Sequence, residues 1–150
     1  MKHLLLIISF MSTVLTSTAQ EADKRVNSAT PISKEMCSKR TMQHDGIVRL
    51  SKIEVYPQYL EEYIKYATEV GAVSLLTEPG VLTMYAVAEK DNPCMITILE
   101  TYASQEDYKS HIASAHFQKY KKGTLHMVKN LILSDQKELN PANKIVNFIK

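Results

Sequence analysis

The 150-residue sequence has no tryptophan, only two cysteines and no apolar run of the roughly 18–20 residues that would span a bilayer. Two cysteines exclude a disulfide scaffold as the basis of the fold. The sequence also has no large excess of charge of one sign, because 18 Lys and Arg against 16 Asp and Glu give a formal net charge of +2. That balance excludes the strongly basic composition of nucleic-acid-binding proteins. A hydrophobic share of 45% excludes disorder of the whole chain, and the length predicts one domain.

The first residues have the pattern of a secretory signal. Lys2 and His3 precede an apolar stretch over residues 4–11, and small residues lead to Ala19. A positive start, a short apolar segment and small residues before a cleavage site are typical of a signal peptide. We therefore expect residues 1–19 to be removed on export, which leaves a periplasmic or secreted chain without a membrane span. The alternative is a buried core helix.

The rest of the chain divides into an arm, a domain and a tail. Residues 20–45 are polar and predict an N-terminal arm, residues 46–140 predict the folded domain, and residues 141–150 predict a tail or an edge strand. Cys37 lies in the arm, and Cys94 opens a predicted strand. In an exported chain a disulfide between them would tie the arm to the domain, and the alternative is two free thiols.

Hydrophobic periodicity predicts four strands and two helices in the order β–α–β–β–α–β. The predicted strands are residues 47–55, 81–88, 94–102 and 131–139, and the predicted helices begin at Pro57 and after Ser104. This order is typical of the α+β ferredoxin-like fold, the split βαβ arrangement. Both faces of the predicted sheet are apolar, so we expect a second copy of the chain to cover the face without helices.

Two local features refine this prediction. The string Glu78-Pro79-Gly80 predicts a tight turn in which the glycine takes a positive φ. The second helix carries two apolar stripes on different faces, and one straight helix cannot bury both against one sheet. We therefore expect a kink or restart at Ser114, whose side chain can cap a new helix carrying a stripe from Phe117 to Leu131.

Three strings in this order carry a resemblance to a known family. They are the turn Glu78-Pro79-Gly80-Val81, the strand end Leu99-Glu100-Thr101-Tyr102 and the helical segment HIASAHF from His111 to Phe117. Over about residues 46–135 the chain resembles the antibiotic biosynthesis monooxygenase (ABM) family, which includes quinol monooxygenases. The resemblance implies a ferredoxin-like domain of the dimeric α/β-barrel type, a homodimer in which the sheets of two copies face each other.

The resemblance also implies a function. We expect a cofactor-independent monooxygenase that oxidises a small aromatic or quinol-type substrate with molecular oxygen. Such chemistry needs a base that removes a substrate proton and a cavity that excludes water. Members that degrade haem use an Asn–Trp–His set, from which a chain without tryptophan departs. Two other functions on this fold stay open: a non-catalytic exported dimer that binds a small molecule, and an isomerase or lyase.

His111 and His116 are the candidate catalytic residues, because a neutral imidazole accepts protons near physiological pH. They are five positions apart, so on one straight helix they would point roughly 140° apart. The i, i+4 spacing that brings two histidines to one metal is absent, and no metal site is predicted. The alternative is that both rings cap the helix or lie at an interface, bonded to backbone carbonyls.

Arg49, Tyr85, Glu100 and Tyr102 are the candidate substrate-binding residues. Glu100 lies between apolar neighbours on a strand, and a half-buried carboxylate must be paired or protonated. It either orients a histidine or forms an ion pair with Arg49. Tyr85 and Tyr102 would supply aromatic walls that each carry a hydroxyl.

Overall fold

A computed structural model of the chain describes residues 36–139, which form a four-stranded antiparallel sheet with helices on one face. The elements are β1 (Ile47–Val55), a 3-10 turn (Pro57–Tyr59), α1 (Leu60–Thr77), β2 (Val81–Ala88), β3 (Met95–Tyr102), α2 (Gln105–Ala113), α3 (Ala115–Thr124) and β4 (Val128–Gln136). The spatial strand order is β2-β3-β1-β4. The predicted ferredoxin-like fold is confirmed. The predicted signal peptide, the first part of the arm and the tail lie outside the described residues.

Alternation along β1 decides which side chains face the helices. Ile53 and Val55 point to the helical side and join the main core, together with Tyr63 of α1, Ile96 of β3 and Met127 before β4. Because side chains alternate at every residue of a strand, Arg49 and Ser51 lie on this same face. The helical side of the sheet therefore carries these polar groups between two apolar clusters, the main core and a second cluster of Ile47, Val81 and Tyr102.

The second helix is interrupted at Ser114, as predicted. The Ser104 side chain accepts a hydrogen bond from the backbone N–H of Asp107 and caps α2, and the Ser114 side chain accepts one from Phe117 and caps α3. The backbone of Ser114 is extended, with φ −63° and ψ 149°, so the helix axis changes direction there. A side-chain oxygen at each N-cap satisfies an amide that would otherwise lack a partner.

The end of the second apolar stripe was assigned wrongly. α3 ends at Thr124, and β4 begins at Val128 rather than at Leu131. A turn, in which the N–H of Met127 donates to the carbonyl of Thr124, stops the helix. Val128 of β4 pairs with Val55 of the central strand β1. Hydrogen bonding to β1 is favoured here over another turn of helix. Met127, Val128 and Leu131 are therefore not helical.

Position 80 requires glycine because there is no room for a Cβ atom, and not because the backbone has a positive φ. None of the glycines in residues 36–139 has a positive φ, which corrects the prediction for this turn. A Cβ at Gly80 would instead overlap the side chain of Asp107. That side chain bonds Arg40 at 2.6 Å and the Ser104 hydroxyl at 2.7 Å, so it has little freedom to move. The glycine allows the turn to pack against the start of α2.

Two glycine substitutions should therefore have opposite effects on stability. Gly80→Ala displaces Asp107 and weakens the cap of α2, a loss we expect to be about 1 kcal/mol. Gly71→Ala, within α1, meets nothing within 4 Å and should stabilise the helix by about 0.5–1 kcal/mol. Urea unfolding of both variants measures the difference in free energy. Equal effects of the same sign would contradict this explanation.

The described part of the arm is bonded to the domain and is not a loose linker. The amide of Arg40 donates to the carbonyl of Pro79 at 2.9 Å, and that of Gln43 donates to Ala103 at 2.7 Å. The Lys39 ammonium donates to the carbonyls of Leu75 at 2.6 Å and Glu78 at 2.9 Å. These bonds hold the turn that joins α1 to β2.

The predicted disulfide is not formed, because the two cysteines lie at opposite ends of the sheet. Both are free thiols. The amide of Cys37 donates to Leu76, beside the end of α1, whereas the carbonyl of Cys94 accepts from Val55 at the far end of β1. The intervening length of β3 is about 25 Å, and a disulfide needs α-carbons within about 7 Å.

The face of the sheet opposite the helices is uncovered within residues 36–139 and exposes several large apolar side chains. Tyr85 is 65% exposed, Ile132 51% and Val87 44%. The strand registers place these side chains on the same face as Leu50 and Leu99. None of the helices in the described part of the chain is long and apolar enough to cross a membrane.

Candidate functional site

A cavity of about 610 Å³ lies between the helical face of the sheet and the three helices. Much of its wall is apolar, including Ile53, Met84, Ile98, Phe117, Tyr120 and Leu133. Arg49, Ser51, Glu100, Tyr102 and His111 add polar groups. A mainly apolar cavity of this size with a few polar groups is typical of sites for small organic ligands.

His111 is a buried histidine in the wall of this cavity. Its side chain is 1% exposed, and its Nδ1 lies 2.9 Å from Oε1 of Glu78. Since an ionised carboxylate only accepts hydrogen bonds, Nδ1 carries the proton and donates it. The other ring nitrogen, Nε2, is buried and has no partner among the described residues. The His111 ring is among the groups that line the cavity.

Glu78 joins His111 to His116. The same Oε1 lies 2.6 Å from Nε2 of His116, and the Ser114 hydroxyl lies 3.0 Å from that nitrogen. The interruption at Ser114 turns α3, so two rings that would point apart on one straight helix reach one carboxylate. From the sequence alone, Glu78 is predicted only to lie in a turn, because a turn motif does not indicate which distant side chains its residues will contact.

Glu78, His111 and His116 are also the residues that could hold a metal ion. One donor atom from each lies within 4.8 Å of the others. In the arrangement observed, the N–O distances of 2.6 and 2.9 Å are those of hydrogen bonds. The 140° separation applies to one straight helix, and the interruption at Ser114 brings the two rings to the same carboxylate instead.

The Glu78 carboxyl should make the fold sensitive to acid. Burial raises its pKa, but the hydrogen bonds from His111 and His116 lower the pKa by more than burial raises it. The pKa therefore lies below its ordinary value of 4.5. A lowered folded-state pKa means that the ionised group stabilises the fold above about pH 4.5. This contribution is lost as the pH falls through the folded-state value.

Urea unfolding of the wild type and of Glu78→Gln at a series of acidic pH values measures this effect. The difference in unfolding free energy between the two proteins should narrow as the pH falls. Glu69→Gln is the matched control, since Glu69 forms an exposed pair with Lys119. If the wild-type and Glu78→Gln curves stay parallel from neutral to acid pH, Glu78 is not the responsible group.

Glu100 is held by hydroxyl groups. Its carboxylate accepts hydrogen bonds from the hydroxyls of Ser51 and Tyr102, the latter at 2.7 Å. Neither expected partner, a histidine or Arg49, bonds to it, and both expectations are corrected. Arg49 of β1 is paired with Glu100 of β3 on one side and with Asp135 of β4 on the other. Its Nε–H donates a hydrogen bond to Oδ1 of Asp135 at 2.6 Å.

Tyr102 and Arg49 both line the cavity, and each is held in place by its neighbours. The Tyr102 ring is fully buried, 5.3 Å from the His111 ring between centroids. Burial and then the charge of Glu100 raise the pKa of the Tyr102 hydroxyl, which stays protonated. The Arg49 guanidinium lies 4.5 Å from the centre of the Tyr108 ring. The hydrogen bond to Asp135 raises the pKa of Arg49, so a fixed positive charge borders the cavity.

Tyr85 does not line the cavity. Its neighbours Met84 and Ala86 do so, and strand alternation turns Tyr85 to the uncovered face. Of the predicted site residues, the structure therefore brings Arg49, Glu100, Tyr102 and His111 to the cavity, with His116 bonded through Glu78. Tyr108 and Tyr120 were missed, although both lie in the helical stripes that marked the buried face.

Comparison with known proteins agrees with this fold. A model of the antibiotic biosynthesis monooxygenase family matches residues 46–123. A candidate antibiotic biosynthesis monooxygenase of known structure from Bacteroides thetaiotaomicron is 53% identical, with a TM-score of 0.66 over 68% of this chain and 97% of that chain. No curated protein gives a significant match.

Two further solved structures are more distant. A candidate monooxygenase from Lactobacillus acidophilus is 28% identical, with a TM-score of 0.60 over 63% of this chain and 45% of that one. A candidate antibiotic biosynthesis monooxygenase from Nitrosomonas europaea is 17% identical, with a TM-score of 0.60 over 68% of this chain and 98% of that one, a similarity of fold alone. Because the model of the antibiotic biosynthesis monooxygenase family matches more than half of the sequence, the chain belongs to this family.

Proposed function

We propose that the protein is a monooxygenase that oxidises a small aromatic or quinol-type compound with molecular oxygen and without a cofactor. The observation that carries this proposal is His111, a buried ring that lines a mainly apolar cavity, with Nδ1 bonded to Glu78 and Nε2 without a hydrogen-bond partner among residues 36–139. A phenolic hydroxyl is a donor that such a lone pair would accept. Membership of the family supplies the second support, the reaction class.

The chemistry begins with a proton transfer. The substrate O–H bond breaks, the proton passes to Nε2 of His111, and the electron pair stays on the substrate oxygen. Glu78 stabilises the imidazolium that forms and holds the ring in the orientation with Nε2 free. The substrate anion is electron-rich and can transfer electrons to oxygen, for which the apolar walls provide a site with little water.

The overall reaction balances without an added reductant. A hydroquinone supplies four electrons as it becomes a hydroxyquinone, and these reduce O₂. One oxygen atom enters the ring and the other leaves as water, which takes the two hydrogens that the substrate loses. Arg49 offers a fixed positive charge near the developing anion, and the carboxylate of Glu100, bonded to Ser51 and Tyr102, offers an acceptor to a second substrate hydroxyl.

Oxygen uptake in metal-free buffer with a panel of hydroquinones and phenols tests this function. We expect consumption of oxygen with at least one quinol, and incorporation of one labelled atom when ¹⁸O₂ is supplied. The base at His111 also suits proton transfer without oxygen, so an isomerase or lyase remains the second candidate. It would form product from a substrate in the absence of oxygen. Saturable binding without any turnover would identify a non-catalytic binding protein and refute the enzyme.

We further propose that the working protein is a homodimer. The support is the uncovered apolar face with Tyr85, Val87 and Ile132, which would be costly to leave in water. Light scattering should give twice the mass of one chain. Ile132→Lys should yield monomers, whereas Ile64→Lys, an exposed position on α1, should leave the dimer intact.

Export remains our proposal for the location. It depends on the signal pattern over residues 1–19. Expression of the full chain in a bacterium followed by N-terminal sequencing should find a chain that begins at Gln20. A chain in the cytoplasm that retains Met1 would contradict export.

A further inference from the structure

Three segments of the chain bring one nitrogen or oxygen donor each to the same place. Glu78 follows α1, His111 lies in the last turn of α2, and His116 lies in the first turn of α3. One donor atom of each side chain lies within 4.8 Å of the other two. Two imidazoles and one carboxylate are a ligand set of zinc sites in which water takes the fourth position.

We propose that Glu78, His111 and His116 form a binding site for a zinc ion, with water as the fourth ligand. His111 lines the substrate cavity, but Glu78 and His116 are not among the residues of its wall. The ion would therefore be held beside the cavity and would take no part in the proposed oxidation as a cofactor. The site thus goes beyond the proposed function.

The spacing of the donors fits zinc after a small adjustment. Zinc lies about 2.0–2.2 Å from nitrogen and oxygen ligands, so two ligands at a tetrahedral angle are roughly 3.4 Å apart. Oε1 of Glu78 now lies 2.9 Å from Nδ1 of His111 and 2.6 Å from Nε2 of His116. Each pair must open by less than about 1 Å. The side chains of Glu78 and His116 are 16% and 21% exposed, so both have room to turn.

The charge of the Glu78 carboxylate is not taken by a lysine or an arginine. Among the ion pairs of residues 36–139, its partners are the two histidines. The two cations in the described part of the arm are bonded elsewhere. Lys39 donates to the backbone carbonyls of Leu75 and Glu78, and Arg40 pairs with Asp107. The carboxylate can therefore balance part of the charge of a divalent cation.

Two serine hydroxyls support the ligands from outside. The Ser114 hydroxyl lies 3.0 Å from Nε2 of His116, and it also caps the helix that carries this ring. Ser74, one helical turn before Glu78, is fully buried, and its hydroxyl has no hydrogen-bond partner among residues 36–139. Carboxylates that bind metals are themselves held by hydrogen bonds from a second layer of residues. The Ser74 hydroxyl is a donor that such a carboxylate can use.

The ligand types select the metal. Magnesium and calcium prefer sites built from oxygen atoms, whereas this site offers one carboxylate and two nitrogens. Imidazole suits zinc, nickel and copper, of which nickel and copper favour square-planar arrangements. Zinc has no such preference and accepts three protein ligands and a water in a tetrahedron.

Bound zinc should also change what His111 can do in the cavity. A neutral imidazole has one nitrogen that donates and one that accepts, so with zinc on Nδ1 the ring hydrogen lies on Nε2. The ring then has no free nitrogen to take a proton from a substrate, and zinc should slow oxygen uptake. This consequence, unlike the binding of zinc, rests on the proposed function.

Zinc binding to the untagged full chain, freed of metal with EDTA and then dialysed, tests the site. Competition with a chromophoric zinc chelator gives the number of ions per chain and the dissociation constant. We expect one tight site in the wild type. In His116→Gln the affinity should fall at least about 100-fold, since loss of an outer partner alone costs 10–100-fold. His126→Gln, at an exposed ring against Tyr59, is the matched control and should bind zinc as the wild type does.

If His116→Gln does not fold, the wild type gives the same information. Zinc should shift the ring ¹⁵N signals of His111 and His116 and leave those of the exposed His44 and His126 unchanged. Magnesium at the same concentration should leave all four signals unchanged.

A wild type that binds no zinc, or a His116→Gln variant that binds it as tightly as the wild type, overturns the site. Equal shifts of all four histidine signals overturn it as well, because they indicate binding at the surface. The binding assay needs no substrate, so failure of every oxygen-uptake assay would refute the proposed function and leave the site intact. Zinc that binds tightly but leaves the rate of oxygen uptake unchanged would refute His111 as the base.

Discussion

His111→Gln should lower the rate of oxygen consumption by about 10²–10⁴-fold, because it removes the general base. Glutamine keeps a polar side chain of similar length but cannot take a proton from a substrate hydroxyl. Substrate affinity should change less than the turnover rate, since the apolar walls remain. Steady-state oxygen uptake with the best quinol of the panel measures both quantities.

Two further variants make this result specific. His126→Gln is the matched control for loss of a histidine, and it should keep the wild-type rate because its ring contacts Tyr59 outside the cavity. Glu78→Gln should lower kcat less than His111→Gln, since the base is still present but no longer oriented by a charge. Full activity of His111→Gln would show that another group removes the proton.

Tyr63→Ala should destabilise the domain by about 3–5 kcal/mol. Tyr63 is fully buried in the main core, and its hydroxyl bonds that of Tyr120 at 2.6 Å. Truncation leaves an empty space in the core and also removes the partner of Tyr120, which lines the candidate site. Urea unfolding measures the loss, and binding of 4-nitrophenol reports whether the cavity wall has moved.

Tyr63→Phe distinguishes the ring from the hydroxyl. It keeps the packing and removes one hydrogen bond, so we expect a loss of about 1 kcal/mol. Nearly equal losses in the two variants would mean that the bond to Tyr120, rather than the buried ring, stabilises this core.

Periodicity predicted strands and helix starts well where local and tertiary preferences agree. The bounds of β1 and β2 match the prediction, because alternating apolar residues suit a sheet whose helical face is buried. The interruption at Ser114 was predictable since two stripes and a capping residue coincide there. The start of β4 was missed by three residues, because pairing with β1 decided it and such pairing is invisible in a local pattern.

The site was predictable in its residue types but not in its pairings. The sequence by itself determined the element order, the family resemblance and the helix interruption at Ser114, because periodicity and capping are local properties of the chain. Only the tertiary structure decided that Glu78 joins His111 to His116, that Arg49 pairs with Asp135, and that Cys37 and Cys94 lie at opposite ends of the sheet. Such contacts depend on strand register and on the direction of α3, which arise when distant segments pack.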